Sequence, residues 1–200
     1  MRPQDRCPGV LRPHQAADGA LVRLRLPGGR TTGRVLRGLS RLATAFGSGD
    51  LQLTSRGGLQ IRGLPDPLPD AFVQGVQEMG LLPSPAHERV RNITASPLTG
   101  LAGGAADVTG LVGELDRRIV ADPDLAALPG RFLFVLDDGR GDVSGLAFDL
   151  GYRALSPQSG LVMVGSADRG RPVAAGAAAA ALVALAREFL TVRAGAWHVT

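Results

Sequence analysis

Between Leu21 and Gly80 the apolar residues switch repeatedly between the two-residue period of a strand and the 3.6-residue period of a helix. That succession constrains the fold more than any other feature of the chain. From Leu21 to Leu26 apolar side chains alternate with arginine, which predicts a half-buried strand with Arg23 and Arg25 on one face. Pro27-Gly28-Gly29 ends it. Val35, Leu36, Leu39, Leu42, Ala43 and Phe46 then recur at helical spacing, with Thr31 or Thr32 as N-cap and Gly47 just past the end. Leu51 and Leu53 open a second strand, and Leu59 and Ile61 a third. Ser55-Arg56-Gly57-Gly58 joins these two as a tight turn. A second helix starts near Pro69, carries Phe72, Val73, Val76 and Met79 on one face and stops at Gly80. The order β-α-β-β-α is most of a ferredoxin-like unit.

Leu81 to Glu88, with Pro83 and Pro85, reads as a linker. Beyond it the pattern predicts a strand around Val90 to Thr94 and a helix with Val108, Leu111, Val112, Leu115 and Ile119 inward. A buried strand from Phe132 to Leu136 and a hairpin turn from Asp137 to Asp142 follow. Short strands are expected near Gly145 to Phe148 and Leu161 to Val164, and an alanine-rich helix from about Pro172 to Val192. The expected division is an extended arm over 1–18, a half-domain over 19–82 and an α+β domain over 88–194, with no internal repeat.

All 22 basic residues are arginine, which excludes lysine Schiff bases and lysine general bases and leaves every cationic contact to guanidinium. Arginine grips carboxylate and phosphate through a planar fork and keeps its charge at every relevant pH, so a polyanionic ligand suits the chain. Nucleic acid is not the expected partner, because the arginines are dispersed and only six Phe, one Tyr and one Trp are available to stack on bases. The longest apolar run, Val173 to Ala186, is shorter than the roughly 20 residues of a membrane span. A single cysteine, Cys7, gives no disulfide framework, and no leader opens the sequence. A soluble, cytoplasmic chain is expected. The three histidines lie far apart without zinc-ligand spacing, and neither a P-loop nor a dinucleotide fingerprint occurs. Carboxylates cluster around glycines in Asp137-Asp138-Gly139-Arg140-Gly141-Asp142. They miss the EF-hand spacing, and a turn explains the glycines, so no metal site is expected.

Four motifs occur in order: Pro27-Gly28-Gly29-Arg30, Leu53-Thr54-Ser55-Arg56-Gly57-Gly58-Leu59-Gln60-Ile61-Arg62-Gly63-Leu64, Arg91-Asn92-Ile93-Thr94-Ala95-Ser96-Pro97-Leu98-Thr99-Gly100, and Leu128-Pro129-Gly130-Arg131-Phe132. Together they resemble the first half of the nitrite/sulfite reductase superfamily and, within it, the precorrin-3B synthases of cobalamin biosynthesis. The resemblance implies an α+β chain, a ferredoxin-like half-domain followed by a tetrapyrrole-contacting α+β domain. It implies an oxygen-dependent monooxygenase that converts precorrin-3A to precorrin-3B, of which this chain looks like the N-terminal half.

At the matching motif positions the resemblance places Arg56, Arg91 and Arg131 against the carboxylates of a precorrin-like tetrapyrrole. Gln60 alternates with Leu59 and Ile61 and points away from the core, Arg62 beyond the hairpin is a weaker candidate for which surface placement is equally natural, and Asn92 lies beside Arg91, where satisfying nearby backbone is its more ordinary task. Arg25 and Arg30 are weaker candidates, as is His14 in the arm. Any single arginine among 22 is by default a solvated surface group. The reductases carry a second basic residue two positions after the one matched by Arg131, where this chain has Leu133, which counts against sulfite-type chemistry. The family uses a 4Fe-4S cluster, with sirohaem in the reductases. One cysteine cannot ligate a cluster that needs about four thiolates, so no cofactor is expected to be ligated by this chain alone. A homodimer, or a cysteine-bearing partner chain, is the expected assembly. A non-catalytic tetrapyrrole carrier, part of a sirohaem-dependent reductase and a degenerate interaction domain are the alternatives.

Overall fold

The structure, a computed structural model, describes residues 7–165 and 169–199, and the start of the expected arm, 1–6, lies outside them. The first unit comprises β1 (His14–Ala16), β2 (Gly19–Leu24), α1 (Gly33–Phe46), β3 (Gln52–Leu53), β4 (Leu59–Leu64) and α2 (Asp70–Glu78). Its sheet runs β1-β2-β4-β3 with every neighbouring pair antiparallel. Thr32 caps α1 by accepting the Val35 amide at 3.3 Å, and the Gly47 amide closes its other end on the Ala43 carbonyl at 2.9 Å. The inward faces of α1 and α2, Leu39 and Ala43 with Phe72 and Val76, cover one side of this sheet. Burying each large side chain there contributes roughly 1.5–3 kcal/mol. The uncovered side carries Arg23 and Gln60, and it faces the second unit.

The second unit comprises β5 (Ile93–Ala95), α3 (Thr109–Ala121), β6 (Phe134–Asp137), β7 (Leu150–Ser156), β8 (Ser159–Val164), β9 (Gly170–Ala174) and α4 (Ala178–Val192). Its sheet runs β5-β6-β7-β8-β9, parallel through β5, β6 and β7 and antiparallel from β7 to β9. The main core gathers Leu115 and Ile119 of α3, Leu182 and Ala186 of α4, and Phe132, Phe134 and Tyr152. A smaller cluster of Leu133, Val135, Val143, Phe148 and Met163 fills the opposite side. By length and composition alone, Ala175–Val192 would pass as a membrane span. In the fold, its Ala178, Leu182, Ala186 and Phe189 belong to this core.

Several expectations need correction. The arm is not merely extended, because β1 pairs with β2 in the register His14↔Leu21 and takes the sheet edge beside it. A three-residue strand is too short to show a period. The stretch 81–88 is not a loose linker: Leu82, His87 and Glu88 are buried. The Glu88 carboxylate accepts the amides of Val10 and Leu11, and His87 bridges the Ser84 hydroxyl and the Asp122 carbonyl. Asp137–Asp142 is not a hairpin turn, since the strands on either side of it are parallel. Gly145–Phe148 forms no strand, and the pairing resumes at Leu150. Pro172 does not open the last helix; it lies in β9, an edge strand, where a residue without an N–H is tolerated.

The units meet closely at Pro27–Gly29. Gly28 has φ 69°, and a side chain there would stand 3.0 Å from a Val112 methyl, so glycine permits both the turn and the approach of α3. Arg30 adds hydrogen bonds to the Thr99 carbonyl at 3.1 Å and the Thr109 hydroxyl at 2.8 Å.

Candidate functional site: an arginine-lined cavity

A cavity of about 890 Å³ lies between the open face of the first sheet and the chain entering β5 and β6. That volume falls within the ~300–1,000 Å³ usual for small-molecule sites. Arg23 and Arg25 reach it from β2 and its end, Arg56 from the β3–β4 turn, Arg91 and Asn92 from the approach to β5, and Arg131 from the approach to β6. Gln60, Cys7 and His14 also line it. Of the six sequence-level candidates, Arg56, Arg91, Arg131, Gln60 and Asn92 therefore come together. Arg62 does not: it lies toward the far end of β4, where it forms a two-point ion pair with Asp18 at 2.9 Å.

The arginines differ in how their charge is met. Arg91 is 5% exposed and grips Asp116 from Nε at 2.7 Å and Nη2 at 2.8 Å, so its charge is compensated within the chain. Arg25 is equally buried, yet its hydrogen bonds go to neutral acceptors: Asn92 Oδ1 at 3.2 Å, the Arg23 carbonyl at 2.9 Å and the Pro8 carbonyl. Among the described residues no carboxylate pairs with it. Burial holds its pKa down, at about 10, against the opposing through-space influence of Cys7 and the Glu88 carboxylate and with the reinforcing repulsion of Arg23 and Arg89. Arg23 donates from Nη2 to Gln60 at 3.2 Å, while its buried Nε has no partner among the described residues. Arg56 donates to the Arg131 carbonyl at 2.6 Å, and the Thr94 hydroxyl donates to the Arg56 carbonyl at 3.3 Å, which ties the β3–β4 turn to the second unit. The Arg131 side chain is exposed.

Asn92 is the organiser of this wall. Its Nδ2 serves the carbonyls of Arg89, Gly130 and Phe132 at 3.0, 3.0 and 3.2 Å, and its Oδ1 receives Arg25. The side chain thereby fixes the entries to both β5 and β6, the backbone-satisfying role that its place beside Arg91 suggested. Leu133 is buried with Val135, Val143, Phe148 and Met163 in the smaller core, away from the cavity. Arg25, a weaker candidate from the sequence, and Arg23, expected on the same strand face through their i, i+2 spacing, both line the cavity. Trp197 also lines it, and the local pattern offers no signal for that residue.

The loop after β6 forms a separate feature. Asp137, Asp138 and Asp142 each place a carboxylate oxygen within 4.8 Å of the others. Arg140 sits on Asp138 at 2.8 Å and 3.7 Å from Asp142, while Asp137 Oδ1 accepts the Gly139 and Gly141 amides at 2.8 and 3.0 Å. These bonds build the turn that the sequence suggested, between parallel strands.

The family implied by the motifs uses an iron-sulfur cluster. The chain's one cysteine, Cys7, does not fit a group that needs about four thiolates, so nothing below is routed through a cluster. Buried and exposed guanidinium groups converge on the cavity, a lining suited to an anionic ligand.

Comparisons with known proteins agree with this architecture. Residues 12–78 match the model of the nitrite/sulfite reductase ferredoxin-like half domain. Precorrin-3B synthase from Sinorhizobium sp is 28% identical over 160 residues, 79% of this chain and 34% of the relative. Ferredoxin–nitrite reductase from Synechococcus elongatus is 28% identical over 145 residues, 66% of this chain and 28% of the relative. The chain thus spans only 34% and 28% of the length of these two relatives. The structure of the Mycobacterium tuberculosis NirA protein shares the fold, with a TM-score of 0.68 at 20% identity over 95% of this chain and 38% of that one. The chain thus has an α+β fold whose residues 12–78 are similar to the nitrite/sulfite reductase ferredoxin-like half domain, and it is similar in sequence to a precorrin-3B synthase and a ferredoxin–nitrite reductase.

Proposed function

We propose that the cavity binds a tetrapyrrole through its ring of carboxylates, as the tetrapyrrole-binding part of a precorrin-3B synthase-like oxidoreductase. The observation that carries this reading is Arg25, a buried guanidinium whose hydrogen bonds among the described residues go to neutral acceptors. Burying a cation without a directly bonded carboxylate is costly, and a ligand carboxylate at the cavity wall offsets that cost. Arg23 and Arg25 supply the buried positive potential, while Arg56 and Arg131 supply guanidinium groups at the rim. Asn92 holds the wall in register, and Arg91 supports it from behind through Asp116. The chain's part in the chemistry is to bind and orient the ring. The redox centre belongs to a cysteine-bearing partner.

Leu133 favours a precorrin-like ligand over a reductase site, because this position packs in the smaller core and brings no second cation to the cavity. The test is optical titration of the purified chain with uroporphyrin, an eight-carboxylate ring. Saturable binding that weakens about tenfold in Arg131→Ala or Arg56→Ala is expected, the size of one charge-assisted contact. No saturable shift in the parent protein would overturn the reading.

A further inference from the structure

The cavity also has an apolar side that its arginines do not explain. Leu53, on edge strand β3, lines the cavity with 83% of its surface exposed. Trp197, the only tryptophan of the chain, is the only Phe, Tyr or Trp among the lining residues. A small anion gains nothing from either. A large ring with an anionic rim gains from both, because its faces are hydrocarbon.

Trp197 is held in place from both sides. Before it, Ala194 and Gly195 take φ of 44° and 96° and reverse the chain, and the Ala196 amide closes the turn on the Arg193 carbonyl at 2.6 Å. Arg193 anchors that turn by donating to the Ala127 carbonyl at 3.2 Å and lying 5.7 Å from the centre of the Phe189 ring. After it, His198 Nδ1 lies 3.2 Å from Asp149 Oδ1, the Val199 amide donates to the same oxygen at 3.0 Å, and Val199 packs on the main core. Asp149 is 2% exposed and also receives the Leu133 amide at 2.8 Å, so the latch is fixed to the start of β7. The backbone on either side of Trp197 is thus set before any ligand arrives, which lowers the entropy lost on contact.

We infer that Trp197, with Leu53 beside the cationic rim, is the ring-contacting residue that selects a tetrapyrrole over smaller polycarboxylates. This rests on the tetrapyrrole reading above. The indole meets the apolar ring while guanidinium groups take the carboxylates, and the two contributions are separable. Aromatic contact is insensitive to salt, whereas carboxylate pairing is screened by it.

The experiment titrates the full chain with uroporphyrin by its Soret shift at low and at moderate salt, with citrate as competitor. Trp197→Ala should weaken uroporphyrin about tenfold, within the range for an aromatic platform, and Trp197→Phe should restore most of the affinity. The salt dependence should stay as in the parent, while Arg131→Ala flattens it, and citrate should compete equally with parent and Trp197→Ala protein. If Trp197→Ala misfolds, Trp197→Leu, which keeps bulk without the ring, is compared with Trp197→Phe. Unchanged uroporphyrin affinity in the non-aromatic variant overturns the role of Trp197 and leaves the arginine site standing. Failure of the parent to bind uroporphyrin overturns both.

Discussion

Arg91 and Asp116 form a two-point ion pair at 2.7 and 2.8 Å between the approach to β5 and the solvent-side turn of α3, with side chains 6% and 19% exposed. The most conspicuous motif arginine of the chain therefore acts first as a structural clamp beneath the cavity wall. Removing only the carboxylate strands the cation. Asp116→Ala should destabilise the fold by about 3 kcal/mol, and Arg91→Met with Asp116→Leu should recover much of that loss. Urea denaturation of the single and double variants measures both.

Arg62 is the internal control for the site assignment, because it shares β4 with Gln60 but pairs with Asp18 outside the cavity. Arg62→Ala should leave uroporphyrin affinity unchanged and barely alter stability, as for other exposed pairs. A loss of affinity like that of Arg131→Ala would move the binding surface off the cavity.

The loop after β6 should make the fold acid-sensitive. Burial by itself raises the Asp138 carboxyl, but the hydrogen bonds and charge of Arg140 override it and hold the pKa below the usual carboxylate value. A depressed folded-state pKa contributes stability that is fully present above the unfolded value near ~3.9 and is lost as pH falls through the lower folded value. In Arg140→Ala only burial and the weaker hydrogen bonds remain. The folded-state pKa then rises toward the unfolded value, so Arg140→Ala should be less stable than the parent near neutral pH and should lose less further stability on acidification. Thermal melts between pH 3 and pH 7 read both changes, and an acid limb as steep as the parent's would remove Arg140 from this role.

Gly139 is the most constrained point of that loop. It has φ 101°, and a side chain would stand 2.5 Å from the Ala105 methyl and 2.9 Å from the Ala154 carbonyl. Gly139→Ala should cost about 2–4 kcal/mol by combining backbone strain with a clash against main chain. At Gly141 the nearest neighbour is Ser144 Oγ at 3.8 Å, so Gly141→Ala should cost only the ~1 kcal/mol of its left-handed backbone. Denaturant midpoints of the two variants check the order.

The elements of the first unit were legible because strand and helix periods are local properties of the chain. The alternation that puts Arg23 and Arg25 on one face, the Thr32 cap and the Gly57-Gly58 turn all follow from neighbours a few residues away. The three-residue strand β1 and the strand containing Pro172 were not legible, since each exists only through pairing with a partner strand. The same limit applied to the site. The ordered motifs named Arg56, Arg91, Arg131, Gln60, Arg62 and Asn92, and all but Arg62 line one cavity.

By itself, then, the sequence determined the period of the longer segments, the order of the arginine-bearing motifs and the absence of lysine. Only the tertiary structure decided which guanidinium is answered: Arg91 by Asp116, 25 residues away, Arg62 by Asp18, 44 away, and Arg25 by no carboxylate among the described residues. It alone decided that Trp197 lines the same cavity as the arginines. Charge compensation depends on distance in space, and periodicity records only distance along the chain.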